Sequence, residues 1–323
     1  MFRTYWGLED VLMDQGPTAL AIGNFDGLHR GHIKILEQTK REARRLGGEA
    51  MVLTFHPHPT KVVAPERESE LLMTLNERVR HFEKCGRDAV VVVPFTHETA
   101  SLRPADFVHK VLIEKLTTRS VVVGEGFRFG HQQAGTLATL TMLGKQLDFD
   151  TIMVQPVVHG GQTVSSTTIR ALVRAGKVET ARHLLGRPFS LVGSVVSGKG
   201  IGSKKTVPTL NLSPEQGVRP GRGVYVTLTC DRESGKLWTS VTNVGTNPTF
   251  GDGQLTIETH LIEAPTMRTF SRIEPMFLHR LRDERRFTSA EALRRQIFRD
   301  VELAKRYFKL CRITVTNYDN CIY

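Results

Sequence analysis

The stretch Leu20-Ala-Ile-Gly-Asn-Phe-Asp-Gly-Leu-His-Arg-Gly-His-Ile-Lys-Ile-Leu36 passes from an apolar strand, through a Gly/Asn/Asp turn, into a helix that opens on two histidines. Leu20, Ala21 and Ile22 read as a buried strand, and Gly23 and Gly27 permit a tight turn with close approach of a ligand to the backbone. Asn24 and Asp26 are the polar members of that turn. The following helix turns unpaired N–H groups and its positive dipole end toward it, which is the outline of an anion site. His29 and His32 share one face of the first helical turn and can aim at one phosphate. Two ligands do not make a zinc site, and no cysteine or third histidine stands at zinc spacing.

Outward from this turn, the first half of the chain alternates strand and helix. Apolar runs at 18–25, 50–55, 89–95, 119–123 and 151–158 read as strands. Between them, helical patterns cover His32 to Leu46, Leu75 to Cys85 behind a Thr74-x-x-Glu77 capping box, Pro104 to about Leu116, and Leu137 to Leu147. This alternation predicts a doubly wound parallel sheet, whose ligands sit beyond the carboxyl ends of the strands.

After a helical pair ending at Leu185, the pattern changes to β-branched and alternating runs at 190–198, 223–231, 237–244, 255–263 and 273–279. They predict an antiparallel β-barrel or sandwich. The connection from Gly198 to Pro220 reads as a functional loop, and a terminal helix from about Ser289 to Phe308 as capped by Thr288-x-x-Glu291. The expected fold is therefore α/β, with a domain over 1–185, an antiparallel barrel with its helix over 186–310, and a tail over 311–323.

Length and composition suit a globular chain: 323 residues, 40% hydrophobic and 24% charged. The N-terminal residues carry Glu9, Asp10 and Asp14 without the apolar core of a signal peptide, and the longest apolar run, Ala89 to Val93, is too short to span a bilayer. A cytoplasmic address and no membrane partner are expected. Cys85, Cys230, Cys311 and Cys321 form no CxxC pair and read as reduced thiols. A net charge of +11 invites a nucleic-acid partner. Most basic residues fall on helical faces among acids, and zinc-finger spacing and RNP-like strings are absent from the sequence. No nucleic acid is expected, and a basic cleft for anionic small substrates explains the charge equally well.

The string Gly23-Asn-Phe-Asp-Gly27 with His29-x-x-His32 resembles the nucleotidyltransferase signature of the bifunctional riboflavin kinase/FAD synthetase family. Val164-Ser-Ser-Thr-Thr-Ile-Arg170 resembles the family's triphosphate-gripping motif, with Ser165, Ser166, Thr167 and Arg170 matching; read alone it is a hydroxyl-rich helix cap. Thr54-Phe-His-Pro-His-Pro59 resembles the family segment ending the second strand. Gly124 to Gly130 resembles its flavin-side loop, which implies flavin contacts from Phe127, Arg128 and Phe129. Pro208-Thr-Leu-Asn211 resembles the kinase module's Pro-Thr-x-Asn, implying that Thr209 and Asn211 hold Mg2+ and the ATP phosphates. Gly223-Val-Tyr225, Asn243-Val-Gly-Thr246, Pro248-Thr-Phe250 and Glu258-Thr-His-Leu261 follow in family order, and Glu258 falls on the general base.

The resemblance spans about residues 15 to 308 and implies two ATP-dependent, Mg2+-dependent steps: riboflavin to FMN in the second half, FMN to FAD in the first. Its expected catalytic residues are Glu258, His29, His32 and Arg170. Gly23, Asn24, Asp26, Gly27, Ser165, Ser166, Thr167, Thr209 and Asn211 are assigned to ATP and its phosphates. The sequence departs from the family pattern at Gly126, Gln133, Thr136, Thr168, Thr206-Val207 and Asn247. Those departures keep a single-activity member open as an alternative, with adenylyl transfer weak or lost; because fold alone does not fix function, a basic RNA-binding protein on a nucleotidyltransferase scaffold is the less favoured second.

Overall fold

The apolar run ahead of the glycine turn is a strand buried along its whole length, Thr18–Ile22, as a central parallel strand covered on both faces must be. The computed structural model describes residues 2–11, 16–67, 70–196, 208–246, 255–262, 269–285 and 287–313. The first sheet contains β1 (Arg3–Tyr5), β2 (Thr18–Ile22), β3 (Glu49–His56), β4 (Ala89–Pro94), β5 (Thr118–Gly124) and β6 (Asp150–Val154). Their order is β1-β4-β3-β2-β5-β6, all pairings parallel. Strand β1 has no counterpart in the sequence reading, because three residues carry no periodicity; pairing with Ala89 to Val91 creates it.

Helices α1 (Arg30–Leu46), α2 (Pro59–Val63), α3 (Leu75–Lys84), α4 (His97–Ser101), α5 (Pro104–Phe107) and α6 (Leu137–Leu147) link these strands, α5 continuing in wider turns through Val108–Lys115. One face of the sheet packs Ala21, Val52, Val90 and Val122 against Ile35 and Leu36 of α1 and Phe82 of α3. The other packs Leu20, Met51, Leu53 and Val121 against Phe107, Val111, Leu112 and Leu140. Neighbouring residues Leu20 and Ala21 thus serve opposite layers, as the pleat demands. The chain moves from β2 outward to β3 and β4, then returns to β5 on the other side. The Gly23 turn leaves β2 at this switch point, where doubly wound sheets bind ligands.

A small hairpin, β7 (Val158–His159) and β8 (Gln162–Thr163), precedes helices α7 (Ser166–Arg174) and α8 (Val178–Leu185). Then follow β9 (Phe189–Ser190), β10 (Gly193–Val196), β11 (Leu210–Pro214), β12 (Gly223–Asp231), β13 (Leu237–Thr246), β14 (Leu255–Leu261) and β15 (Arg272–Arg282). Six of these close as β10-β11-β14-β13-β12-β15, with β15 returning to β10, and β9 pairs with β15. Strand β11 corrects the reading of 198–220 as loop. Its polar residues and flanking prolines hide a strand that exists through pairing with β10 and β14. The terminal helix α9 (Ala290–Leu310) lays Val301, Ala304 and Phe308 on Val226, Leu228, Val241 and Leu278. Its cap is Ser289, whose hydroxyl accepts from the Ala292 amide at 3.1 Å, and not Thr288 as expected.

The opposite faces of these strands carry buried hydroxyls. Thr229, Ser240, Thr227, Thr242 and Thr259 form one chain with O···O distances of 2.7, 2.7, 2.8 and 3.0 Å. Thr227 lies at its centre and is fully buried. Thr227→Val keeps shape and removes two hydroxyl contacts, so it is expected to cost about 1–3 kcal/mol. Denaturant unfolding checks this; the end member Thr229→Val, with one contact of this kind, is expected to cost less.

The chain divides into two compact units, Met1–Ser165 and Ser166–Tyr323. Helices α7 and α8 therefore pack in the same unit as the barrel. Glu179 of α8 accepts from the Arg280 amide at 3.0 Å, and the Gly221 amide donates to the Val173 carbonyl of α7 at 3.0 Å. The compact units thus part some twenty residues before the boundary after residue 185 that the sequence suggests. Among the described residues no helix is long and apolar enough to cross a membrane.

Candidate active sites

The turn after β2 is built by backbone that few residues adopt. Phe25 and Leu28 take left-handed φ of 51° and 38°, and Gly27 takes 83°. A Cβ on Gly27 would lie 2.6 Å from a Leu72 methyl, so this position requires glycine on both grounds. His29 caps α1: its Nδ1 accepts from the His32 amide at 3.3 Å, which leaves the ring proton on Nε2. Gly31 permits this, since a Cβ there would stand 3.2 Å from the His29 ring. The two imidazoles stack with centroids 3.6 Å apart, and Phe25 meets His32 edge-on at 5.2 Å. The first turn of α1 holds no acidic residue that would compete with a bound anion for its amides.

Other members of the turn serve its shape. The buried Asp26 accepts the Leu72 amide on both carboxylate oxygens, at 2.9 and 3.1 Å. Asn24 Nδ2 meets His58 Nε2 at 3.2 Å, and the Asn24 carbonyl accepts from Arg78 and, at 3.4 Å, from the Thr54 hydroxyl. Thr54 and His58 fall in a segment that the sequence singles out without assigning them roles. Arg78 escapes the sequence reading altogether, because a basic residue in Glu-Arg-Val-Arg looks like part of a solvated helix face. In fact it is 2% exposed.

On the expected flavin side, Phe129 is a core residue packed on Phe107, so its ring supports the loop. Phe127 stacks on it at 5.5 Å while only partly buried, and Arg128 is exposed. Ser165 ends the first compact unit; Ser166, Thr167 and Arg170 belong to α7 in the second, with Ser166 and Arg170 one turn apart.

In the barrel, register does what spacing cannot. Asn211 of β11 pairs with Glu258 of β14, which pairs on its other side with Asn243 of β13. Cross-strand partners point to one face with Cβ atoms about 4.5–5.5 Å apart. Thr209 lies just ahead of β11, one residue before the strand begins. All four residues are half-buried, and none spends its side chain on a hydrogen bond with another described residue. Burial pushes the Glu258 carboxyl above the usual carboxylate range. The result is a proton acceptor of raised basicity beside amide groups that no other described residue engages. Asn243 lies in a motif singled out by sequence, but only the pairing with Glu258 gives it a place in the site.

A family model for FAD synthetase matches residues 12–168, and one for riboflavin kinase matches residues 185–308. The bifunctional riboflavin kinase/FMN adenylyltransferase of Escherichia coli (strain K12) is 33% identical over 293 residues, covering 91% of this chain and 93% of its own. The chain belongs to the bifunctional riboflavin kinase/FMN adenylyltransferase family. The protein of the same description from Pseudomonas fluorescens is 33% identical over 300 residues, with 93% and 96% covered. A solved structure described as a macrolide-efflux protein from Streptococcus pneumoniae superposes with a TM-score of 0.82 at 25% identity, covering 94% of this chain and 98% of that one.

Against the riboflavin kinase/FMN adenylyltransferase pattern, the departures take distinct structural places. Gln133 adopts a left-handed φ of 59°, and Thr136 caps α6 in a reciprocal pair with Thr139. Thr168 lies in the first turn of α7. Gly126 is exposed, with no positive φ and nothing within 4 Å of an added Cβ. Asn247, Pro248-Thr-Phe250, Thr206-Val207 and the glycines at 198, 200 and 202 lie outside the described residues.

Proposed function

We propose that this chain phosphorylates riboflavin to FMN in its barrel unit and adenylylates FMN to FAD at the turn of its first unit, with ATP as the donor in both steps, in the cytoplasm. The observation that carries the reading is the pairing of Asn211 with Glu258, a half-buried carboxylate and an amide on one barrel face. Both family models match, and neither a single-activity member of the family nor an RNA-binding protein on this scaffold is favoured.

In the kinase step, Glu258 accepts the proton of the ribityl 5′ hydroxyl as that oxygen attacks the γ-phosphate of ATP, and ADP leaves as the bond between Pγ and the β,γ-bridging oxygen breaks. Phosphoryl transfer asks chiefly for placement and charge neutralisation. Thr209 and Asn211 offer a hydroxyl and an amide oxygen, hard donors of the kind that Mg2+ takes, and would hold it together with waters and the substrate phosphates. A bound Mg2+ would neutralise charge on the transferring phosphate. No group of three or more His, Cys, Asp or Glu side chains suited to a metal occurs among the described residues.

In the adenylyl step, the FMN phosphate is already anionic and attacks the α-phosphate of ATP without prior deprotonation, and pyrophosphate leaves as the bond between Pα and the α,β-bridging oxygen breaks. The α1 N-terminus, His29 and His32 stabilise the developing charge, and the turn at Gly23 to Gly27, whose Gly23 amide is spent on the Leu53 carbonyl at 3.1 Å, lets the phosphates approach. Asn24 holds the turn, and Asp26 keeps its shape. Ser165, Ser166, Thr167 and Arg170 are assigned to ATP on the family motif, and Phe127 and Arg128 to the flavin.

One incubation with riboflavin, ATP and Mg2+, resolved into riboflavin, FMN and FAD, tests the proposal; absence of either product removes the corresponding half. Position 126 offers a finer test. Gly126→Asp meets neither strain nor crowding, so stability is expected to stay within about 0.5 kcal/mol. The carboxylate restores a side chain of the family type and is expected to lower the FMN concentration for half-maximal FAD formation, with the kinase unaffected. An unchanged FMN titration means that this position does not touch the flavin.

A further inference from the structure

Two arginines among the described residues of the first unit are buried, and Arg78 is the less satisfied of them: Arg87 donates from Nε, Nη1 and Nη2 to the Cys85 and Leu36 carbonyls. Arg78 is 2% exposed, yet among the described residues no carboxylate lies within ion-pair distance of it. Its Nη1 donates to the Asn24 carbonyl and reaches the Thr54 hydroxyl at 3.5 Å, while Nε is buried without an acceptor. A guanidinium out of water, with one carbonyl and one distant hydroxyl as its hydrogen-bond partners among the described residues, costs the fold free energy that these bonds do not return. The nearest compensating charge is Asp26, which acts on it without forming an ion pair and gives both oxygens to the Leu72 amide. Burial lowers the Arg78 pKa, in keeping with a charge held at a cost.

The place of this charge is specific. Arg78 stands on α3, and the carbonyl that it holds belongs to Asn24, inside the turn at the switch point of the sheet. Nothing in the packing of α3 requires a cation there, because the helix docks through Phe82. We propose that Arg78 is a positioning residue of the adenylyl site: it locks the Asn24 carbonyl and supplies a fixed positive charge beneath the turn, which the polyphosphate of ATP completes. The inference rests on the reading of this turn as the triphosphate site. Arg78 touches neither substrate nor reacting atoms; it acts through Asn24 and through its field, which the low-dielectric surroundings leave poorly screened.

The test uses the full-length protein and inorganic tripolyphosphate as probe, followed by calorimetry, with the KM for ATP in FAD formation as second readout and FMN formation as internal control. Arg78→Gln keeps a donor for the Asn24 carbonyl and removes the charge; Arg78→Lys keeps the charge and loses the planar fork. Loss of one charge at this depth is expected to weaken tripolyphosphate binding about ten- to a hundredfold and to raise the ATP KM in proportion. Arg78→Lys is expected to stay within a few-fold of wild type. Asp26→Asn removes the opposing charge, retains an acceptor for Leu72, and is expected to tighten tripolyphosphate several-fold, a gain that damage to the fold does not produce.

If wild type does not bind tripolyphosphate, the turn is not a triphosphate site and the underlying reading falls. If wild type binds and Arg78→Gln binds equally well, Arg78 is a structural residue and the inference is overturned. Equal losses in Arg78→Lys and Arg78→Gln overturn the charge assignment. Should Arg78→Gln fail to fold, Asp26→Asn decides, and weakened or unchanged binding in that variant overturns the proposal.

Discussion

Glu258→Gln is expected to cut FMN formation by about 10²- to 10⁴-fold while adenylylation of supplied FMN continues, because a positioned base contributes on that order. The substitution keeps shape and removes the proton acceptor that the β11–β14 register sets beside Asn211. The pH profile gives a second signature. Burial raises the Glu258 pKa, and the kinase needs the ionised form, so kcat/KM falls as pH drops through a value above the ordinary carboxylate range. The variant loses that acid limb.

Stability moves the other way. A carboxyl whose folded pKa is raised contributes stability below its unfolded pKa and loses it as pH rises through the folded one, so at neutral pH the ionised side chain is a cost. Glu258→Gln removes that cost, and its neutral-pH Tm is expected not to fall. Unchanged FMN turnover in a folded variant returns Glu258 to the status of a strand residue.

His32→Ala is expected to lower FAD formation by about 10²- to 10³-fold and to leave the kinase intact, since removing one donor aimed at developing charge costs that much. His32 stacks on His29 and meets the edge of Phe25, so the alanine variant also loses ring contacts worth about 1 kcal/mol. His32→Phe separates the two effects by keeping a ring and removing the nitrogen. Equal loss of FAD formation in both variants assigns the effect to the nitrogen; wild-type activity in His32→Phe assigns it to packing. Assays of both products on the same preparation check either outcome, with FMN formation reporting that the second unit remains folded.

Much of the architecture was legible because its signals are local. The alternation of apolar runs with capped helices announces a doubly wound sheet before any pairing is known, and α1, α3 and α6 begin within two residues of their sequence limits. The phosphate turn was legible for the same reason: strand, glycines and helix start are contiguous, so their geometry follows from neighbouring residues. Local signals also misled. Ser289 caps α9 in place of Thr288, and the polar, proline-flanked Leu210–Pro214 is a strand where the sequence reads a loop. At that position pairing on both edges outweighs propensity.

By itself, then, the sequence determined the fold class, the anion turn and the residue types available for two ATP-dependent steps. Tertiary structure decided which of those residues meet. Register brought Asn211 and Asn243 to either side of Glu258, packing turned Asp26 and Phe129 inward as supports, and α3 delivered Arg78 to the Asn24 carbonyl. It also set α7 and α8 with the barrel. The physical reason is that strand register and helix docking are selected by burial summed over many distant contacts, and no short stretch of chain encodes that sum.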